Sequence, residues 1–246
     1  MSAQIADKES RKSASHDAAV VGGRSRVLNW AWPLVVFCIG VVLSGWVYMA
    51  QRAKVQEALE AEFQFRADEV VTRIEQRIQS YEQLLRGGLG LFIAKGSVDR
   101  IGWRRYVEPL NVAEVFPGIQ GFGYALLVPK EQLSSHTATV RAEGFPDYSV
   151  RPSGLRETYT SIIYLEPLDK RNLLAFGYDM YAEPVRQAAM ERAARNGTIA
   201  VSGKVRLMQE GPDGTQAGFL MYQPVYRSGM ATNTPERRRS ALQGWV

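Results

Sequence analysis

The sequence predicts an α+β protein with an N-terminal transmembrane helix, a long stalk helix and then antiparallel sheets. Three observations predict it. No charged residue occurs between Val27 and Ala50. Apolar side chains then recur at helical spacing as far as Leu85. Past Pro109, short β-prone runs alternate with glycine and proline.

The first element is the run 27–50. A helix of that length reaches about 36 Å, enough for the ~30 Å hydrocarbon core. Trp30 and Trp32 mark one end and Trp46 and Tyr48 the other, as two headgroup layers require. A buried core helix seldom runs so far without a polar face. A cleavable signal peptide would place a small residue where Tyr48 stands. The reading is an uncleaved anchor, with Cys38 in lipid. Lys8, Arg11, Lys12, Arg24 and Arg26 precede it, against Arg52, Lys54 and Arg66 after it. Residues 1–26 are therefore expected to form a cytoplasmic tail at the inner (plasma) membrane, and everything after the anchor to lie in periplasmic or extracellular space.

The second element is the stalk. Val55, Leu59, Phe63, Ala67, Val70, Ile74, Ile78, Tyr81 and Leu85 form one stripe that neither Gly nor Pro interrupts. A helix over 51–86, continuous with the anchor, follows. Its stripe suits contact with the chain's own domain or with a second copy, and lacks the strict alternation of a coiled coil. Gly87-Gly88-Leu89-Gly90 is expected to stop this helix, and Ser97 to cap a second one reaching Pro109.

Strands are predicted over 119–129, 159–165, 173–178, 198–208 and 217–226, with Gly211-Pro212-Asp213-Gly214 as the hairpin turn between the last two. One helix interrupts them. Glu183 and Pro184 open it, Arg192 and Arg195 lie in its last turn, and Gly197 follows as a left-handed cap. Residues 87–246 thus read as one α+β domain.

Of the 246 residues, 46% are apolar and 22% charged, a globular balance. One cysteine and two histidines exclude an internal disulfide, a Cys/His metal cluster and thiol redox chemistry. The net charge of +5 is scattered, and its one tight cluster, Arg237-Arg238-Arg239, reads as a solvated loop, so nucleic acid is not an expected partner. The glycines of Gly118-Ile119-Gln120-Gly121-Phe122-Gly123 have the wrong spacing for a dinucleotide fingerprint and open a strand. A Ser/His/Asp site would have to use His136, the only histidine outside the tail. No catalytic constellation, metal site or cofactor is expected. Asn196-Gly197-Thr198 matches a glycosylation acceptor but is better explained as the end of a helix.

Several strings, taken together and in order, resemble the CHASE domain, the extracellular sensory module of bacterial sensor histidine kinases and diguanylate cyclases and of plant cytokinin receptors. They are Gly90-Leu91-Phe92, Trp103 with Tyr106, Phe116-Pro117-Gly118 through Tyr124, and Tyr164-Leu165-Glu166-Pro167. Arg171-Asn172, Ala175-Phe176-Gly177-Tyr178-Asp179-Met180, Val201-Ser202-Gly203 and Gly218-Phe219-Leu220 through Tyr226 continue the match, which spans about 65–246. The resemblance implies tandem PAS-like subdomains after the stalk, a ligand in the membrane-distal one, and a homodimeric receptor. It further implies a truncated chain whose kinase or cyclase output is absent.

By position, Asp179 corresponds to the plant aspartate that bonds an adenine-type ligand, and Val201 to a residue whose backbone contacts the same ligand. The strings around them differ, so cytokinin itself is not implied. Asp179 is also the only charge between Leu173 and Ala182, where a carboxylate must accept hydrogen bonds or pair with a cation. Local backbone bonding ahead of the Pro184 helix is the competing role, and both stay open here. Tyr124, Phe176, Phe219 and Tyr222 are the aromatics expected around a pocket, with plain core packing as the alternative. The expected function is a membrane-anchored ligand sensor. The alternative is a periplasmic dimerisation or protein-interaction module with no small ligand.

Overall fold

The computed structural model describes the backbone of residues 3–210 and 217–246, and side chains over 32–52, 54–209 and 217–246. The turn 211–214 lies outside the described residues, as do the side chains of the tail and of Trp30. The chain divides into two compact units, 1–72 and 73–246.

The first helix, α1, spans Ala3–Lys95 without a break. It is the one described helix long and apolar enough to cross a membrane. In the first unit Trp32, Phe37, Val42 and Trp46 are each about 70% exposed among the described residues. The stripe at Val55, Leu59, Phe63 and Val70 is exposed as well.

In the second unit α1 does not stop at Gly87-Gly88. It runs on to Lys95 and closes at Gly96 (φ +73°), whose N–H bonds the Phe92 carbonyl at 2.8 Å. The glycines serve close packing instead. A Cβ on Gly88 would lie 2.9 Å from both the Phe122 ring and Val246 Cγ1. Helix α2, Arg100–Val107, is capped by Asp99 and not by Ser97: the Asp99 carboxylate accepts from the Gly102 N–H at 2.7 Å. A single turn, α3 (Val112–Val115), leads to the sheet.

Strands β1 (Phe122–Pro129) and β2 (Thr158–Glu166) pair antiparallel around a connection that holds α4, Leu133–Ala142. The polar composition of that connection gives no sign of a helix, yet Val140 is buried on the face α4 turns to Tyr148 and Phe176. Helix α5, Pro184–Asn196, matches its prediction, with Glu183 as N-cap and Gly197 (φ +73°) as C-cap. The run 198–208 is not one strand. It breaks into β3 (Ala200–Val201) and β4 (Val205–Arg206), which pair with β6 (Met221–Tyr222) and β5 (Ala217–Gly218) respectively. Strand β7 (Pro224–Tyr226) leads to α6, Pro235–Ala241, and β8, Leu242–Trp245. Arg237-Arg238-Arg239 thus sits in a helix capped by Thr234, not in a loop.

Residues 173–178 are not a strand either. They form a 3-10 turn at Asn172–Leu174 and a bend, and only isolated bridges, Arg151 to Tyr178 and Ser161 to Asp179, tie them to the sheet. The apolar run that suggests a strand is spent on burying Ala175 and Phe176 from that turn.

The main sheet has the order β2-β1-β8-β7 and is antiparallel throughout. Where tandem PAS-like subdomains are expected, the described residues form this four-stranded sheet and two two-stranded ones. Strand periodicity gives the main sheet two apolar faces. One carries Phe122, Tyr124, Tyr164 and Val225 against Leu84 and Phe92 of α1 and Trp103 of α2. Trp103 is fully buried, its ring 5.1 Å from Phe122. The other face carries Ala125, Ile162, Leu165 and Trp245 against the small side chains Ala189 and Ala193 and the Met190 side chain of α5. Trp245 Nε1 donates to the Met190 carbonyl at 3.0 Å, locking strand to helix.

Candidate functional site

A cavity of about 100 Å³ lies at the main sheet, reached by Leu85, Phe122, Tyr124 and Val246 of the α1-facing cluster as well as by residues of the α5 side. Ala125, Ile162, Leu165 and Trp245 line it from the sheet, and Ala175 and Met180 from the turns that precede α5. Leu207, Gln209, Leu220 and Tyr222 line it from the two-stranded sheets and the turn between them. Small residues at 125 and 175 leave the space. Larger ones at either position would fill it.

The cavity has one charged wall. Arg186, in the first turn of α5, is 4% exposed. Its placement follows from the cap: the Glu183 carboxylate accepts from the Val185 and Arg186 N–H groups at 3.1 and 3.0 Å, and Pro184 fixes the first turn. The guanidinium donates to the Arg206 carbonyl and stacks on Tyr178, 4.8 Å from its ring centroid. Its Nε sits 3.6 Å from Glu183 Oε2 and makes no hydrogen bond. The Tyr222 hydroxyl donates to Met180 Sδ at 3.3 Å, and burial holds that phenol well above its ordinary pKa. The site is therefore a small, mostly apolar space with a buried cation and a neutral phenol on its wall.

Of the residues singled out from sequence, Tyr124 and Tyr222 line this cavity together. Val201 and Phe219, 41% and 48% exposed, share a surface groove with Ile78 and Lys204. The Val201 carbonyl accepts from Arg192 Nη2 at 2.7 Å. Phe176 packs in a separate cluster with Val140 and Tyr148.

Asp179 is fully buried and lines neither space. Its Oδ1 accepts from the Thr160 N–H (2.8 Å), the Thr160 hydroxyl (3.1 Å) and the Tyr181 N–H (3.1 Å). Its Oδ2 lies 3.3 Å from Arg156 Nη1 and makes no hydrogen bond. Hydrogen bonds and a cation are in use at once, but only the Tyr181 N–H is local; Thr160 reaches Asp179 from β2.

Sequence reasoning missed Arg186. A cation three residues into a helix reads as surface, and only its burial reveals it. It also missed a relay in which His136 Nε2 meets the Tyr148 hydroxyl at 2.8 Å and that hydroxyl meets Ser161 Oγ at 2.6 Å. Among the described residues no cluster of His, Cys, Asp or Glu could hold a metal ion.

A search of curated proteins returned no match to the chain. The family model of the CHASE domain, by contrast, matches residues 96–246, more than half of the sequence and all of the sheet, α5 and the cavity's charged wall. The chain belongs to the CHASE family, the extracellular sensory domains of signalling receptors.

Proposed function

We propose that this chain is the membrane-anchored ligand-sensing part of a signal-transduction receptor, with the sheet–α5 cavity as its sensory pocket. The observation that carries the reading is a space with apolar and charged walls inside the segment matched as a CHASE domain. The apolar run 27–50 is the span, the N-terminus is cytoplasmic, and the domain faces the periplasm or extracellular medium. An antiparallel sheet whose first strand lies between the second and the last supports a PAS-like reading of the domain. The cavity's volume falls below the ~300–1,000 Å³ of drug-sized sites, which favours a ligand smaller than an adenine derivative.

In this reading the chain itself is not an enzyme. Ligand binding biases one of two arrangements of the domain, and the stalk carries that bias to a histidine kinase or diguanylate cyclase. The receptor works as a homodimer, for which the exposed stripe at Leu59, Phe63 and Val70 offers a contact. That same stripe favours the second reading, a dimerisation or protein-interaction module without a small ligand. Thermal melting of the detergent-solubilised chain against a small-molecule panel separates the two. A true ligand at ~100 Kd adds about 2.7 kcal/mol of stability, and Ala175→Leu, which fills the cavity, removes the shift. A panel that never shifts the melt, together with dimers that survive the same filling, supports the second reading instead.

A further inference from the structure

We propose that the cavity is built to hold a small carboxylate, with Arg186 as the group that reads its charge. The inference rests on this cavity being the sensory pocket and adds the chemistry of what is sensed.

Arg186 stands where a cation is least favoured. The first turn of α5 is the positive end of the helix macrodipole, which stabilises carboxylates and opposes guanidinium groups. Burial to 4% exposure adds a desolvation cost. The partners in hand do not offset both. The Arg206 carbonyl is a neutral acceptor, and Tyr178 offers a ring face. Glu183, the carboxylate that pairs with Arg186 among the described residues, is turned to the N–H groups of Val185 and Arg186, and its oxygen lies 3.6 Å from a guanidinium Nε that makes no hydrogen bond there. An incoming carboxylate at this wall would supply a charge-assisted, dry hydrogen bond that the protein leaves unmade.

The remaining wall fits the other half of a short organic acid. Ala125, Ile162, Leu165 and Ala175 are buried and apolar. Tyr222 donates only to a thioether, a weak acceptor that a carboxylate oxygen displaces. A cavity of about 100 Å³, at ~15 Å³ for each water-sized site, takes about six or seven heavy atoms. That is the size of an acid with a short carbon chain.

Titration calorimetry on the full chain in nanodiscs tests this with propionate, butyrate and pyruvate against propionamide and butyramide. The expected result is that at least one acid binds, and binds more than tenfold tighter than its amide. Arg186→Gln abolishes that preference and Arg186→Lys keeps part of it. Because Arg186→Gln also removes the bond to the Arg206 carbonyl, its folding is checked by circular dichroism; if it does not fold, the wild-type comparison of acid with amide decides alone. Amides that match the acids, with Ala175→Leu blocking both, leave the sensory pocket standing and overturn the carboxylate. Acid binding that survives both Arg186→Gln and Ala175→Leu lies elsewhere and overturns it too. Silence from every probe overturns the carboxylate, while the pocket itself then stands or falls on the wider melting panel.

Discussion

Asp179 and Thr160, nineteen residues apart, are joined through a single carboxylate oxygen that accepts from both the Thr160 N–H and its hydroxyl. The join ties the segment before α5 to β2, the edge strand of the main sheet, and so sets one wall of the cavity through Met180. Asp179→Ala would strip the Thr160 N–H of its acceptor, leave the Tyr181 N–H only its bond to the Thr160 hydroxyl, and remove the carboxylate that faces Arg156. A loss of about 3–5 kcal/mol is expected. Asp179→Asn keeps an acceptor oxygen and loses the ion pair, for about 1–2 kcal/mol. Thermal unfolding of the two variants checks the order. Equal losses would show that the ion pair, and not the local bonding, dominates.

Gly88 and Gly90 predict opposite outcomes from the same substitution. Glycine in a helix interior costs about 1 kcal/mol relative to alanine. Nothing lies within 4 Å of a Cβ at Gly90, so Gly90→Ala is expected to stabilise the chain by up to that amount. At Gly88 the added Cβ meets Phe122 and Val246 at 2.9 Å. Overpacking of about 1–3 kcal/mol there cancels or outweighs the helical gain. Melting temperatures of the two alanine variants, measured side by side, decide it.

Trp103 anchors the face of the sheet that packs against α1 and α2. Its ring is fully buried between Phe92, Phe122 and Tyr164. Trp103→Ala should cost about 3–5 kcal/mol. Its Nε1 has no hydrogen-bond partner, so Trp103→Phe sacrifices area alone and is expected to cost clearly less. Trp103 itself does not line the cavity, although its neighbour Phe122 does, so ligand affinity of the folded Phe variant should change little in a calorimetric titration.

The His136 relay predicts a pH dependence. Burial lowers the His136 pKa from 6.5, and only the charge of Glu143 opposes it. The unfolded chain then takes up a proton below about pH 6.5 that the folded chain still refuses. Stability attributable to His136 is therefore complete above that value and is lost as pH falls toward the depressed folded value. Replacing His136 by Gln should flatten the part of the stability profile that lies below about pH 6.5. The difference between wild-type and variant melting curves over that interval is the measurement.

Much of the layout is legible in the amino-acid sequence. The α5 caps at Glu183 and Gly197 and the cores of β1 and β2 follow from local backbone chemistry, which the neighbouring residues alone dictate. Two kinds of expectation fail. Gly87-Gly88 reads as a helix stop because glycine weakens helices, yet the same missing Cβ admits Phe122 and Val246. The run 173–178 reads as a strand because it is apolar, although apolar runs bury equally well from a turn.

The candidate site divides the same way. Asp179 is conspicuous as the lone charge in an apolar stretch, and it is indeed buried, but which groups satisfy it depends on β2, far away in sequence. Arg186 is inconspicuous, since a cation near a helix start reads as solvated until packing closes over it. By itself, then, the sequence determined the apolar run 27–50, the stalk periodicity, the α+β class and the family strings. These are properties of spacing and composition along the chain. Only the tertiary structure decided where α1 ends, that residues 237–239 are helical, and that a buried guanidinium and a phenol share one cavity. Those outcomes depend on what non-neighbouring residues place next to each side chain, and no local pattern carries that information.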